Sequence, residues 1–171
     1  METKITQPWM KGLILSLITI VFSVALYLTD LWQNKSLGYI SYAIILGGII
    51  WSCISFSKEM NGNVTFGNIF AHGFKVAATL IVITVIYTFF SVKFIFPEMT
   101  DKIIDAAARE MEKNKNITED QIKTALDMTR KFMFPFMIGG AILGYGILGA
   151  IGSAIGAGIA KKNPITTPFE Q

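Results

Sequence analysis

Four apolar runs set the pattern of the chain, at 12–28, 39–56, 76–92 and 136–160. Short polar stretches separate the first three, and a long charged one precedes the last. A helix rising ~1.5 Å per residue needs about 20 residues to cross the ~30 Å hydrocarbon core of a bilayer. The runs with their flanks meet that length, which predicts spans at about 12–29, 39–57, 68–93 and 135–160. The last run has 25 residues, no charge and eight glycines. In water each interior glycine would cost ~1 kcal/mol relative to alanine. In lipid small residues are useful, because helices associate there through close backbone approach. They form rows at i+4: Gly140, Gly144, Leu148, Gly152, Gly156 and Ala160; Gly146, Ala150, Ala154 and Gly158; Gly149, Ser153 and Ala157. Ile147, Leu148, Ile151, Ile155 and Ile159 gather on the remaining side. The pattern predicts a broad small surface for packing and a narrow bulky stripe for lipid. Gly140, Gly144, Gly152 and Gly156 are the packing candidates, against helices of the same chain or a second copy.

The other runs carry polar residues at helical spacing. Ser16, Thr19 and Ser23 share one face of the first run and are expected to point into a bundle. Ser23-Val24-Ala25 would satisfy a small-x-small cleavage rule, but it lies inside the run rather than after it, so an uncleaved helix is expected. The turn at 30–36 is flanked by Trp32, Tyr39 and Tyr42, as where a chain leaves and re-enters the headgroup layer. In the second run Gly48 and Ser52 make a small-xxx-small pair, and Ser41 and Ser55 extend that face. The short turn at 57–65, with Asn61-Gly62-Asn63, predicts that the second and third helices are an antiparallel pair. Thr65 is a good N-cap for the third helix.

Residues 97–131 differ in kind, with eight acids and seven bases. Ile103, Ile104, Ala107, Ala108 and Met111 recur at helical spacing, and Asn114-Lys115-Asn116 ends that helix. Thr118-Glu119-Asp120-Gln121 reads as a capping box. Ile122, Ala125, Leu126, Thr129, Phe132 and Met133 then give the next helix one apolar face. Acid-first i,i+4 pairs are expected to brace both helices: Glu98–Lys102, Asp105–Arg109, Glu119–Lys123 and Asp127–Lys131. Pro135 marks the join to the last span, as a kink or a restart. The fold expected is all-α and integral to the membrane: one domain over 1–171, four transmembrane helices, and an extramembrane helical hairpin at 97–131 between the third and fourth spans. Lys161-Lys162 stops the last span, and a disordered tail is expected at 163–171.

Composition agrees with a membrane protein. Charged residues make up 16% of the chain, against roughly 25% in an average soluble domain. The net charge of +3 is spread along the chain with no basic stripe interleaved with aromatics, which argues against a nucleic-acid partner. The single cysteine, Cys53, excludes a disulfide within the chain. Four spans put both termini on one side. That side holds Lys4, Lys11, Lys58, Lys75, Lys161 and Lys162, against Lys35, Lys93, Arg130 and Lys131 near the span ends opposite. Positive charge favours the inside, so the termini are expected in the cytoplasm and the hairpin outside.

Candidate chemistry is sparse. Thr65, Asn68, His72, Lys75 and Thr79 form one polar stripe on the third helix, the only such stripe in the apolar runs with an ionisable group. It could be a proton-responsive or anion-binding mouth, since ionisable residues in membranes are often functional. Equally, Lys75 could snorkel to the interface or pair with Glu59. One histidine and one cysteine do not supply a metal site, and no cofactor is expected. A catalytic triad would have only His72 as its base, so no enzyme is expected.

The order of features resembles a known family. Three apolar spans, with Thr65-Phe66-Gly67-Asn68-Ile69-Phe70 and Gly73 opening the third, lead to a charged helical insert. The insert ends Lys131-Phe132-Met133-Phe134-Pro135, and a glycine-laden fourth span runs into Lys161-Lys162. This resembles the bacterial membrane proteins grouped as domain-of-unknown-function family 4199, found mainly in Bacteroidota. The resemblance implies a four-span inner-membrane protein and no particular activity. Two functions fit the residues. One is a non-enzymatic module that anchors in lipid and displays the hairpin at 97–131 to a protein partner. The other is a small transporter or channel subunit, with a pathway along Ser16, Thr19, Ser23, Ser52, His72, Lys75 and Thr79.

Overall fold

The first helix begins where Pro8 can take the first helical position without losing a hydrogen bond, and it runs Pro8–Leu28 (α1). The structure, a computed structural model, describes residues 6–113 and 117–163, with Lys35 by its backbone alone. Four more α-helices follow: α2 Lys35–Glu59, α3 Phe66–Phe90, α4 Met99–Glu112 and α5 Glu119–Ile159. A π-helical turn, Ser91–Ile95, extends α3. No strand occurs among the described residues. Among the described residues four helices are long and apolar enough to cross a membrane: α1, α2, α3 with its π-helical extension, and α5.

Local chemistry explains the boundaries. Asn34 caps α2, its side chain accepting from Ser36 N–H at 3.0 Å. Thr65 caps α3, its hydroxyl accepting from Asn68 N–H at 3.3 Å. The α2–α3 turn places Asn61 at φ 53° and Gly62 at φ 77°, the left-handed region that asparagine and glycine tolerate best. The capping box is formed in both directions. Gln121 N–H donates to the Thr118 hydroxyl at 3.4 Å, and Thr118 N–H to the Gln121 side-chain oxygen at 3.0 Å.

The chain sorts into two compact units, 1–84 with 143–171, and 85–142. In the first unit the buried positions of each helix fall on one face. On α1 they include Lys11, Gly12, Leu15, Ser16 and Thr19, and on α3 Ile69, His72, Gly73, Val76, Ala77 and Leu80. Ser23, expected inward, is exposed. On the last part of α5 the buried residues are Gly149, Gly152, Ser153, Gly156 and Ala157. These positions advance by three and four, the spacing of one helix face. A core of Leu15, Ile45, Ile49, Val76, Ala77 and Leu80 forms one cluster; Cys53, Val64, Ile69, Ala157 and Ala160 form another.

Glycines set how closely these helices approach. A β-carbon at Gly156 would lie 2.6 Å from Cys53 Cβ, and one at Gly73 would lie 2.5 Å from Cys53 Sγ and 2.7 Å from Ser153 Oγ. One at Gly149 would lie 2.5 Å from Ala77 Cβ, and one at Gly12 would lie 2.6 Å from Thr79 Cβ. One at Gly152 would lie 3.2 Å from Ile49 Cγ2, while one at Gly140 or Gly144 would meet open space. The packed surface is therefore narrower than the i+4 rows suggested, and only the C-terminal half of the first row takes part. Ile147, Ile151, Ile155 and Ile159 are exposed, as a lipid-facing stripe would be.

In the second unit, the expected extramembrane helical hairpin at 97–131 is not supported. Its second arm does not end at Pro135. It is the start of α5, a 41-residue helix with Pro135 inside it and apolar enough overall to count as a span. The missing Pro135 N–H removes one hydrogen bond, a loss that local adjustment tolerates in membrane helices. The expected braces Asp105–Arg109, Glu119–Lys123 and Asp127–Lys131 are not formed among the described residues. Arg130 instead bonds Asp101 across the two helices at 3.2 Å, and Lys113 bonds Glu110 at 2.9 Å. Phe89 meets Phe134 edge-on at 5.7 Å. Of the expected tail, only Asn163 is among the described residues; its N–H donates to Gly62 C=O at 2.7 Å.

Thermal unfolding in detergent tests the packed face. Gly156→Leu and Gly149→Leu are each expected to lower stability by about 1–3 kcal/mol, because the bulk has no room. Gly144→Leu and Ile151→Leu should leave the midpoint within a degree or two. Equal tolerance at all four positions would show that α5 is not packed as described.

Candidate functional site

Charge buried between apolar helices must be paired, and among the described residues of the first unit Lys11 and Glu59 form such a pair. Lys11 on α1 is 5% exposed. Its ammonium lies 2.7 Å from Glu59 Oε1, at the end of α2, and 3.1 Å from Ser55 Oγ, one turn earlier. Ser55 donates to the same carboxylate oxygen at 2.9 Å, and the other oxygen accepts from Thr6 N–H at 2.8 Å. The Glu59 carboxylate thus receives three donors, close to what its lone pairs hold. The ammonium has a charged and a neutral acceptor. Two formal charges cancel within one polar knot, which lowers the cost of keeping both out of water.

A second polar contact lies on the facing side of α2. Ser52 Oγ and His72 Nε2 share a hydrogen bond at 3.2 Å, and the His72 ring stacks on Phe56 at 4.2 Å between centroids. Lys11, Glu59 and Lys75 are the charges within electrostatic reach of the imidazole. Nucleophilic sites place a serine within hydrogen-bond reach of a histidine that a third group orients, with space for substrate. Here the serine is only 1% exposed, so its hydroxyl faces packed atoms rather than a space for substrate. The contact ties α2 to α3, as polar residues do between membrane helices.

The five-residue stripe divides. His72 is buried, Thr65, Asn68 and Lys75 are exposed, and Thr79 is half-buried. Thr65 is occupied as a cap. Thr79 donates back to Lys75 C=O at 3.0 Å. Glu59, one suggested partner of Lys75, is taken by Lys11. Of the other pathway residues, Ser16 donates to Gly12 C=O at 2.7 Å and Thr19 to Leu15 C=O at 2.8 Å, so both hydroxyls are spent on their own helix. Sequence reasoning begins the first span at residue 12, leaving Lys11 just outside it, and misses its burial. The signal available was a lone basic residue at the start of one span and a lone acid at the end of the next, which antiparallel packing brings to the same level.

The end of α5 is secured by related means. The Lys162 ammonium donates to Ala157 C=O at 2.5 Å and Ala160 C=O at 3.1 Å, satisfying carbonyls that a helix end leaves open. The Ser57 hydroxyl donates to Lys161 C=O.

A family model described as "Protein of unknown function (DUF4199)" matches residues 11–162. The chain belongs to this family. The DUF4199 match begins at Lys11 and ends at Lys162, so it takes in the buried ion pair, the Ser52–His72 contact and all four candidate spans save the first three residues of α1. No curated protein and no solved structure matched the chain.

The ion pair is open to a double-mutant cycle read by unfolding in detergent. Lys11→Met and Glu59→Gln should each cost about 3–5 kcal/mol, because each leaves a buried polar partner unanswered. The double variant should recover most of that loss. Additive losses would mean the two groups do not interact.

Proposed function

We propose that this protein is a non-enzymatic anchoring and interaction module of the bacterial inner membrane, with both termini in the cytoplasm. The four candidate spans hold it in lipid. The paired helices α4 and the first turns of α5 are displayed to a protein partner on the outer side. The observation that carries this reading is the length and charge of α5. Its 41 residues make about 60 Å of helix, twice a ~30 Å hydrocarbon core. Residues 119–131 contain Glu119, Asp120, Lys123, Asp127, Arg130 and Lys131, whereas 132–159 contain no charge. The charged third belongs outside the hydrocarbon, and α4, amphipathic and only 14 residues long, belongs beside it. Binding surfaces are often built this way, on a solvated element rooted in a rigid one.

The transporter reading has weaker support. The hydroxyls of Ser16, Thr19 and Thr79 are bonded within their own helices, and Ser52 is bonded to His72. These four hydroxyls thus act as internal fastenings. A groove of about 470 Å³ lined by Leu17, Ile18, Val21, Phe22, Ala25 and Ile44 is wholly apolar and suits an acyl chain.

Two measurements test the proposal. In a Cys53→Ser background, Asp120→Cys should react with an impermeant thiol reagent in cells with a permeable outer membrane, and Lys58→Cys should be protected. Reversed labelling would overturn the orientation. Replacing 101–129 with a Gly/Ser linker should leave the spans inserted and folded, and should abolish association with proteins that co-purify from native membranes. A deleted protein that inserts normally and keeps every partner would overturn the display reading.

A further inference from the structure

We infer that the groove between α4 and the start of α5 is a docking site for a basic amphipathic segment of a partner protein. The inference rests on the display reading above and names the chemistry of what is displayed to. The groove has a volume of about 590 Å³ and lies within the second unit. Its apolar floor is Ile104, Ile122 and Leu126. Ile104 is buried, and Ile122 and Leu126 are half-buried, so apolar surface is accessible at the base.

The rim carries Glu112, Glu119, Asp127, Lys123 and Arg130. Among the described residues Arg130 is held by Asp101, while no salt bridge takes up Glu112, Glu119 or Asp127. Lys123 stands between two of these acids in sequence and bridges neither. With Arg130 engaged, the rim presents three carboxylates against one free ammonium. This surface attracts cations and repels anionic headgroups.

The shape selects a chain segment over a compact small molecule. Positions 119, 122, 123, 126, 127 and 130 advance by three and one, so they form a continuous strip along α5 about 16 Å long. A second helix laid along the strip would place apolar residues over Ile122 and Leu126 and Lys or Arg beside Glu119 and Asp127. This is the helix-in-groove mode, in which anchors at i, i+3, i+4 and i+7 of an amphipathic helix enter the groove and complementary charges fix the register.

The test uses the full chain in phosphatidylcholine nanodiscs, with empty discs as background. The probe is a fluorescent amphipathic helical peptide with leucines on one face and lysines on the other. Its control is the same peptide with glutamates in place of the lysines. The lysine peptide should bind and the glutamate peptide should not. Glu112, Glu119 and Asp127 are exposed, so the triple variant E112Q/E119Q/D127N should keep its helix content. It should weaken lysine-peptide binding at least tenfold, and Lys123→Gln should not weaken it. Equal binding of both peptides, or a triple variant that binds as well as the parent, would overturn the inference. So would tetraphenylphosphonium displacing the peptide with comparable affinity, since the site would then serve small organic cations. Should the linker replacement of 101–129 strip native partners while the lysine peptide fails to bind, the display reading stands and the acidic groove falls. Should that replacement keep every partner while the lysine peptide binds the intact chain, the display reading falls and the groove stands as a site.

Discussion

Helices in lipid have no hydrophobic reason to leave it for one another, so their association depends on how closely backbones can approach. In this protein that approach is set where Cys53 of α2, Gly73 of α3, and Ser153 and Gly156 of α5 meet. Each glycine there faces a side-chain atom at a distance that even a methyl group would violate. The contacts of Gly149 with Ala77 and of Gly12 with Thr79 repeat the arrangement farther along α5 and on α1. The result is a core made as much of small residues as of the large aliphatics around Ile45, Ile49 and Leu80. Dispersion contacts are individually weak, about 0.1–0.2 kcal/mol per atom pair, and they accumulate only where glycine and alanine let many atoms come within range.

Close packing restricts where polar groups can go. The Ser153 hydroxyl and that of Thr84 are buried with no hydrogen-bond partner among the described residues, a cost of about 1–3 kcal/mol each. The other buried polar groups of the first unit are matched. Ser16 and Thr19 turn back on their own helix, Ser52 meets His72, and Lys11 meets Glu59. Glu59 also accepts from Thr6 N–H, so the backbone just before α1 is tied to the end of α2. The carboxylate has its donors supplied from α1, α2 and the preceding backbone. That degree of saturation makes the knot a structural clasp and leaves it little capacity to take a further ligand.

The second unit follows different rules because its charges are exposed. The Arg130–Asp101 and Lys113–Glu110 pairs are more than half exposed at every member, so screening keeps each within about 0–1 kcal/mol. Only Arg130–Asp101 spans the two helices, and it biases the pairing of α4 with α5 rather than enforces it; Lys113–Glu110 lies at the C-terminal end of α4. The apolar floor of Ile104, Ile122 and Leu126 carries more of that association, and it also leaves a groove with room for another chain. The proposed function is therefore read from what the charged helices leave open, whereas stability is read from what the glycine-lined helices close.

Much of this was legible in the residues. Four apolar runs, the Thr65 and Thr118 caps and the Asn61-Gly62 turn are local features, each decided within a few residues by hydrogen bonding or backbone sterics, and all were read correctly. The isoleucine stripe of the last span was legible too, because 3.6-residue periodicity needs no knowledge of a neighbour. Three matters were decided only by tertiary structure. Gly149, Gly152 and Gly156 are packed and Gly140 and Gly144 are not, since glycine spacing offers several faces and only the positions of α2 and α3 choose among them. Pro135 interrupts the sequence pattern without ending the helix, because a proline removes one hydrogen bond while the turns on either side keep theirs. Lys11 and Glu59, 48 residues apart, look like independent interfacial charges until antiparallel helices bring them to one level; a long-range ion pair leaves no periodic trace in the chain.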